Sequence, residues 1–206
     1  MTGDGTVELA ALRIGDRPDV WRDLGFVVDG DEAHASGVCF GLGGGGRGIT
    51  GWSVRGVTGV GEIAGVRLDL PAPPSRRTPD HPNGVVALDH VVLLTPDLPK
   101  TIAGFDRVGV PVRRMRDVEP SPRQQAFFKL GGVVVEVVGP AGTEPAFWGL
   151  AWTVRDLEET KALLGDRLRG PKPAVQPGRR IATLERSAGS TVPMAFMSPH
   201  VPSTRP

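Results

Sequence analysis

The chain has 206 residues, 39% of them apolar, enough to bury one large core or two small ones. Its 24 lysines and arginines stand against 23 acids, so net charge gives no reason to expect nucleic acid or an anionic membrane as a partner. The opening residues lack a basic stretch followed by an apolar one, and no run approaches the roughly 18 apolar residues of a membrane span, which makes the cytoplasm the expected compartment.

The 29 glycines and 20 prolines favour many short strands over long helices. From the start, residues 8–16 read as a strand, 18–24 as a short helix, and 34–42, 49–55 and 63–70 as three further strands. The single cysteine, Cys39, excludes an intrachain disulfide and a cysteine-cluster zinc site, and with no histidine-bearing motif beside it reads as a small buried hydrophobe. Gly43 to Gly46 lack the lysine and hydroxyl of a phosphate loop and read as a flexible connection. Residues 71–84 hold five prolines, Pro71, Pro73, Pro74, Pro79 and Pro82, so a linker is placed there, separating an N-terminal module (1–70) from a domain covering 85–199 and a tail (200–206).

Beyond the linker, residues 85–95 form an expected strand, Asp97 caps a helix over 98–108 with Pro99 in its first turn, and strands follow at 112–118, 124–130 and 133–138. That β-α-β-β-β order then recurs. Residues 147–157 lie on 88–98 without a gap, Asp156 caps a helix over 157–164, and strands are expected at 174–176, 180–185 and 192–197. The first 70 residues carry a fainter copy of the pattern, in which Asp69 stands opposite Glu136. Two ionisable residues fall inside apolar strands, His90 and Glu136. Such groups cost several kcal/mol unless they are paired, protonated or bound to a metal, roughly as expected for any buried charge.

The Leu88-Asp89-His90-Val91-Val92 strand, the Thr95-Pro96-Asp97-Leu98 helix start, the strand from Gly131 to Pro140 around Glu136, and the tandem module order resemble the glyoxalase and bleomycin-resistance proteins, the vicinal oxygen chelate superfamily. The resemblance implies an α+β fold in which tandem βαβββ modules form a half-open curled sheet. It also implies a divalent metal (Zn, Mn, Fe, Ni or Mg) held in the cleft by residues of the first and last strands of each module. His90 and Glu136 match those positions in one module. In the other, the repeat puts Gly149 and Phe196 there, neither able to ligate, so a metal is expected to be weakly held or absent, with Glu185, His81, His200 and Asp69 as outside donors.

Three roles are open to His90 and Glu136: remnants of a metal centre that chelates a substrate's oxygens, a metal-free proton-transfer pair, or a buried pair that only orients strands. Gln125, Phe127, Trp148, Trp152 and Phe196 are candidate ligand contacts, although strand aromatics are more often core and Gln125 fits a solvated exterior equally well; of the neighbours Phe127 and Phe128, one must face the cleft. Arg179 and Arg180 follow a turn and either bind a carboxylate at the cleft mouth or stay solvated. With no tyrosine in the chain, phenol chemistry is excluded. The expected function is lyase, isomerase or hydrolase chemistry on a small oxygenated substrate. The alternative is a non-catalytic small-molecule binder of the bleomycin-resistance type, and an extradiol dioxygenase is less favoured because its second histidine position is Gly149. Three modules in one chain leave one apolar face unpaired, which predicts a homodimer or a domain swap.

Overall fold

The computed structural model describes residues 6–68 and 70–200. The N-terminal region contains β1 (Glu8–Ile14), α1 (Pro18–Asp23), β2 (Glu32–Ala35), β3 (Val38–Gly41), β4 (Ile49–Arg55), β5 (Glu62–Ile63) and β6 (Val66–Arg67). The C-terminal region runs β7 (Val85–Leu94), α2 (Leu98–Asp106), β8 (Arg114–Asp117), β9 (Gln124–Leu130), β10 (Val133–Gly139), β11 (Ala146–Val154), α3 (Leu157–Leu164), β12 (Leu168–Pro173), β13 (Arg180–Leu184) and β14 (Met194–Met197). No helix among the described residues is long and apolar enough to cross a membrane.

The C-terminal strands form one eight-stranded sheet in the order β12-β13-β14-β11-β7-β10-β9-β8, two β-α-β-β-β modules joined through their first strands. Each module starts the same way. Asp97 accepts a hydrogen bond from the Lys100 backbone N–H, and Asp156 accepts from those of Glu158 and Glu159, so both helices begin on a side-chain cap of the kind that contributes about 1 kcal/mol. Within each module the first strand runs parallel to the last, β7 beside β10 and β11 beside β14.

Antiparallel β7 and β11 make the repeat visible as symmetry. Val91 pairs with Leu150 at the centre; around it His90 pairs with Ala151 and Val92 with Gly149, while Leu88 pairs with Trp152 and Leu93 with Phe147. Exchanging the two strands maps each pair onto its counterpart. Two of the three irregularities match too: one residue is extra on β7 at Asp89 and one on β11 at Trp148, the positions that the gapless repeat equates, while a further one at Val86 near the start of β7 has no counterpart.

Alternation divides the sheet into two faces. On β10, Val133, Val135 and Val137 are buried while Val134, Glu136 and Val138 are half-buried on the other side. The buried face is covered by α2, whose Phe105 stacks on Phe128 with ring centroids 4.3 Å apart, by α3, and by the N-terminal region. There Trp21, Phe26 and Phe40 pack on Trp152 at centroid distances of 5.9, 5.0 and 5.1 Å. The apolar face from which a homodimer was expected is therefore covered within the chain itself.

The N-terminal copy departs from the expected module. Its sheet has the order β2-β3-β1-β4, with β1 parallel to β3 and antiparallel to β4. β4 thus flanks β1 as β11 flanks β7, and the module proper is a shorter β-α-β-β unit. The strand expected over 34–42 begins earlier and is a hairpin, because Ser36 and Gly37 turn the chain with φ of 54° and 75°, the positive values of a two-residue turn. The strand expected over 63–70 shrinks to the β5–β6 hairpin, and Asp69 lies outside the described residues. The weak strand expected at 174–176 falls earlier, at β12, an edge position that tolerates Pro171.

Residues 71–84 form a strap without secondary structure rather than a free tether. Ser53 donates to the Pro71 carbonyl and Arg55 to that of Pro73. His81 and Asn83 are buried: the His81 ring accepts from the Val27 N–H, and the Asn83 amide donates to the Leu24 carbonyl.

Candidate functional site

The open face of the sheet brings His90 and Glu136 together. β7 and β10 are parallel neighbours with His90 beside Val134 and Glu136 beside Val92, so both side chains share a face two positions apart. His90 Nε2 lies 3.6 Å from Glu136 Oε2, with the two side chains 18% and 15% exposed. Phe127 and Gln125 of antiparallel β9 register with Glu136 and Val138 and share that face, while Phe128 turns into the core. The Gln125 amide nitrogen donates to Glu136 Oε1 at 2.5 Å, and its oxygen is held by the Arg116 guanidinium, whose Nε donates at 2.9 Å.

Asp89 is a site residue that sequence reading missed. Strict alternation puts it opposite His90, but the bulge adds a residue to β7 at this point and lets both side chains meet. His90 Nδ1 is 2.9 Å from Asp89 Oδ1. The other carboxylate oxygen accepts from Thr153 Oγ1 at 2.9 Å and from Arg179 Nη1 at 2.8 Å.

The sequence offers Arg179 and Arg180 alike as carboxylate binders or solvated residues, and the two differ sharply. The Arg179 side chain is 1% exposed and is fixed by bonds from Nε to the Ser198 carbonyl at 2.9 Å and from Nη1 to Gln176 Oε1 at 2.5 Å, whereas Arg180 pairs at the surface with Glu158. No local pattern distinguishes them; the turn at Pro177-Gly178 aims one inward.

The two carboxyls flanking His90 are displaced in opposite directions. Burial opposes ionisation of Asp89, yet the hydrogen bonds and charges of His90 and Arg179 win and hold it well below the usual carboxylate range. Burial pushes the Glu136 carboxyl up, only partly offset by His90 and Arg116, and the Asp89 charge pushes it the same way. One partner is a fixed anion; the other holds a proton more readily than a solvated glutamate.

Two candidate ligand contacts sit elsewhere. Trp152 and Phe196 are fully buried on the covered face, where both pack against Phe26. They belong to the joint between the two sheets because alternation turns them away from His90. The register also shifts the repeat by one place in the last strand: Ala151 pairs with Ala195, so Ala195 and not Phe196 stands in Glu136's position. Trp148 is half exposed at its bulge. Of the outside donors, Glu185 pairs with Arg169 at 3.5 Å, His81 is buried in the strap, and His200 Nε2 stands 3.7 Å from Asp89 Oδ2.

The donor set does not fit a catalytic divalent ion, which takes about three protein ligands. His90 Nε2 and one Glu136 oxygen are free to offer, while His90 Nδ1 is bound to Asp89 and Glu136 Oε1 to Gln125. Among the described residues, nothing completes the set from the second module. Ala195 has no donor, and a Cβ on Gly149 would stand 2.8 Å from the Pro193 carbonyl oxygen, which is drawn in by the Leu150 N–H at 3.0 Å. That half of the site is closed by backbone. A three-donor group does occur among the described residues, but outside the cleft: Glu32, His34 and Cys39.

Residues 89–183 match the family described as the glyoxalase/bleomycin resistance protein/dioxygenase superfamily. No curated protein matches the chain. Among solved structures, a methylmalonyl-CoA epimerase from Mycobacterium tuberculosis is similar, with 18% identity over 57% of this chain and 91% of its own and a TM-score of 0.49. A hypothetical protein from Bacillus halodurans has 16% identity over 57% and 97%, with a TM-score of 0.47. The methylmalonyl-CoA epimerase of Streptomyces coelicolor, in complex with 2-nitronate-propionyl-CoA, has 17% identity over 55% and 94%, with a TM-score of 0.46.

Proposed function

From the match of residues 89–183 to the glyoxalase/bleomycin resistance protein/dioxygenase superfamily, we propose that the open face of the eight-stranded sheet binds a small oxygenated substrate and that His90 and Glu136 move a proton on it without a metal. The observation that carries this reading is the placement of His90 between two carboxyls, Asp89 at 2.9 Å from Nδ1 and Glu136 at 3.6 Å from Nε2. An anionic Asp89 favours the tautomer with the proton on Nδ1, which leaves the Nε2 lone pair facing the cleft as a base. Glu136, pushed up by burial, is the complementary proton carrier. A pair that takes a proton and returns it suits isomerisation, epimerisation or elimination at a carbon next to a carbonyl. Arg116, whose charge reaches Glu136, favours the oxyanion that develops there.

The reading is tested by incubating the protein with a panel of carbonyl-activated carbon acids in deuterium oxide and following α-proton exchange by NMR. Exchange that drops on the order of 100-fold or more in His90→Asn and in Glu136→Gln is the expected result. Saturable binding, read by quenching of tryptophan fluorescence, with no exchange for any bound compound would favour the non-catalytic alternative. Half-buried Phe127 and exposed Trp148 supply an apolar ligand surface for that second reading.

A further inference from the structure

The β2–β3 hairpin carries a donor cluster that the cleft does not use. Glu32 and His34 alternate onto one face of β2, and the two-residue turn at Ser36-Gly37 sets Cys39 of β3 directly across from His34. His34 Nε2 lies 3.2 Å from Glu32 Oε2, and one ligand atom from each of the three residues falls within 4.8 Å of the others. The cluster is more than three like groups on a surface. His34 is 8% exposed and its second ring nitrogen, Nδ1, is buried without a hydrogen-bond partner, so the imidazole has more bonding capacity than the protein spends. Cys39 is buried, and Glu32 reaches solvent with a side chain 41% exposed, which gives an ion a way in.

We propose that Glu32, His34 and Cys39 form a site for a borderline-soft divalent cation, zinc by preference, in the N-terminal region. The donor set of one thiolate, one imidazole and one carboxylate suits zinc better than magnesium or calcium, which take oxygen ligands. Side-chain torsions must draw the ligand atoms from within 4.8 Å to the roughly 3.5 Å spacing of ligands about one tetrahedral ion. The fourth position is left to water. Binding balances as an exchange: the cation takes the Cys39 sulfur, and the thiol proton leaves to solvent. Burial first, and then the charge and hydrogen bond of Glu32, push that thiol up to about 11. Two charged neighbours bear on the site: Arg76 Nη1 stands 3.9 Å from Glu32 Oε2 and competes for its carboxylate, and Asp31 adds negative charge near the sulfur.

Cobalt(II) is the probe, titrated into the reduced full-length chain. The expected result is one equivalent of cobalt that produces a thiolate-to-cobalt charge-transfer band, displaced by zinc, with about one proton released per ion and a rise in Tm. Cys39→Ser abolishes the band and Glu32→Gln weakens binding about tenfold or more, whereas the His90→Asn/Glu136→Gln double variant keeps both band and Tm rise. Far-UV circular dichroism checks that each variant is folded, and Glu32→Gln, at the surface, serves where Cys39→Ser fails that check. Absence of the band at stoichiometric cobalt, or binding lost in the double variant and retained in Glu32→Gln, overturns the proposal.

Discussion

The two halves of the C-terminal sheet share a backbone plan and have opposite fates. At the first bulge stand Asp89 and His90, facing Glu136; at the equivalent second bulge stand Trp148 and Gly149, facing Ala195. The first half carries charge held in place by a buried arginine reaching over from the second. The second half has closed its own site, since the Pro193 carbonyl occupies the space a side chain at 149 would need. Duplicated backbone geometry, including the bulges at Asp89 and Trp148, thus stands in both halves although only the first carries ionisable side chains there, and the second half supports the first: Thr153 and Arg179 both bond to Asp89.

The largest expected effect comes from cutting that support. Arg179→Met leaves Asp89 as a buried anion with its main cation gone, and should cost about 3 kcal/mol in denaturant-induced unfolding; a loss under about 1 kcal/mol would mean that the two halves are not coupled through this pair. Next is Gly149→His, which restores a ligand residue on paper. It should instead destabilise by about 2 kcal/mol through overpacking and give no gain in metal affinity, and a variant that is stable and binds metal stoichiometrically would show the second half to be merely substituted rather than closed.

The pH dependence has a definite sign. The unfolded Asp89 carboxyl titrates near 3.8 and the folded one lower, so the unfolded chain binds more protons between those values. Its contribution to stability is complete above about pH 4 and is lost as pH falls toward the folded value. Asp89→Asn should flatten that part of the stability curve, measured by urea unfolding across the acid range. The smallest effect is expected next door to the largest: Arg180→Ala, removing only an exposed pair with Glu158, should change stability by at most about 0.5 kcal/mol. Comparable losses at Arg179 and Arg180 would undo the distinction drawn between them.

Much of the architecture was legible because it follows from short-range rules. Caps at Asp97 and Asp156 and the alternation in β10 each depend on residues a few places apart, the gapless repeat shows directly as two like segments, and together they placed both modules and put His90 and Glu136 inside apolar strands. Where the readings failed, a long-range pairing intervened. Alternation alone separates Asp89 from His90, and only the pairing of β7 with β11 creates the bulge that joins them. Trp152 and Phe196 fit a ligand pocket or, as strand aromatics more often do, a core; the N-terminal aromatics that cover them decide for the core. Cys39 is buried, as its composition and context imply, and only the pairing of β2 with β3 sets it across from His34.

By itself, then, the sequence determined the tandem modules, their helix starts, and the two ionisable residues in apolar strands, since period, propensity and capping act within a turn or a strand. Tertiary structure alone decided which residues surround His90, that the second half-site is shut, and that the third module lies over the first two. Those outcomes depend on register, bulges and the burial of charge, which exist only once distant segments are packed together.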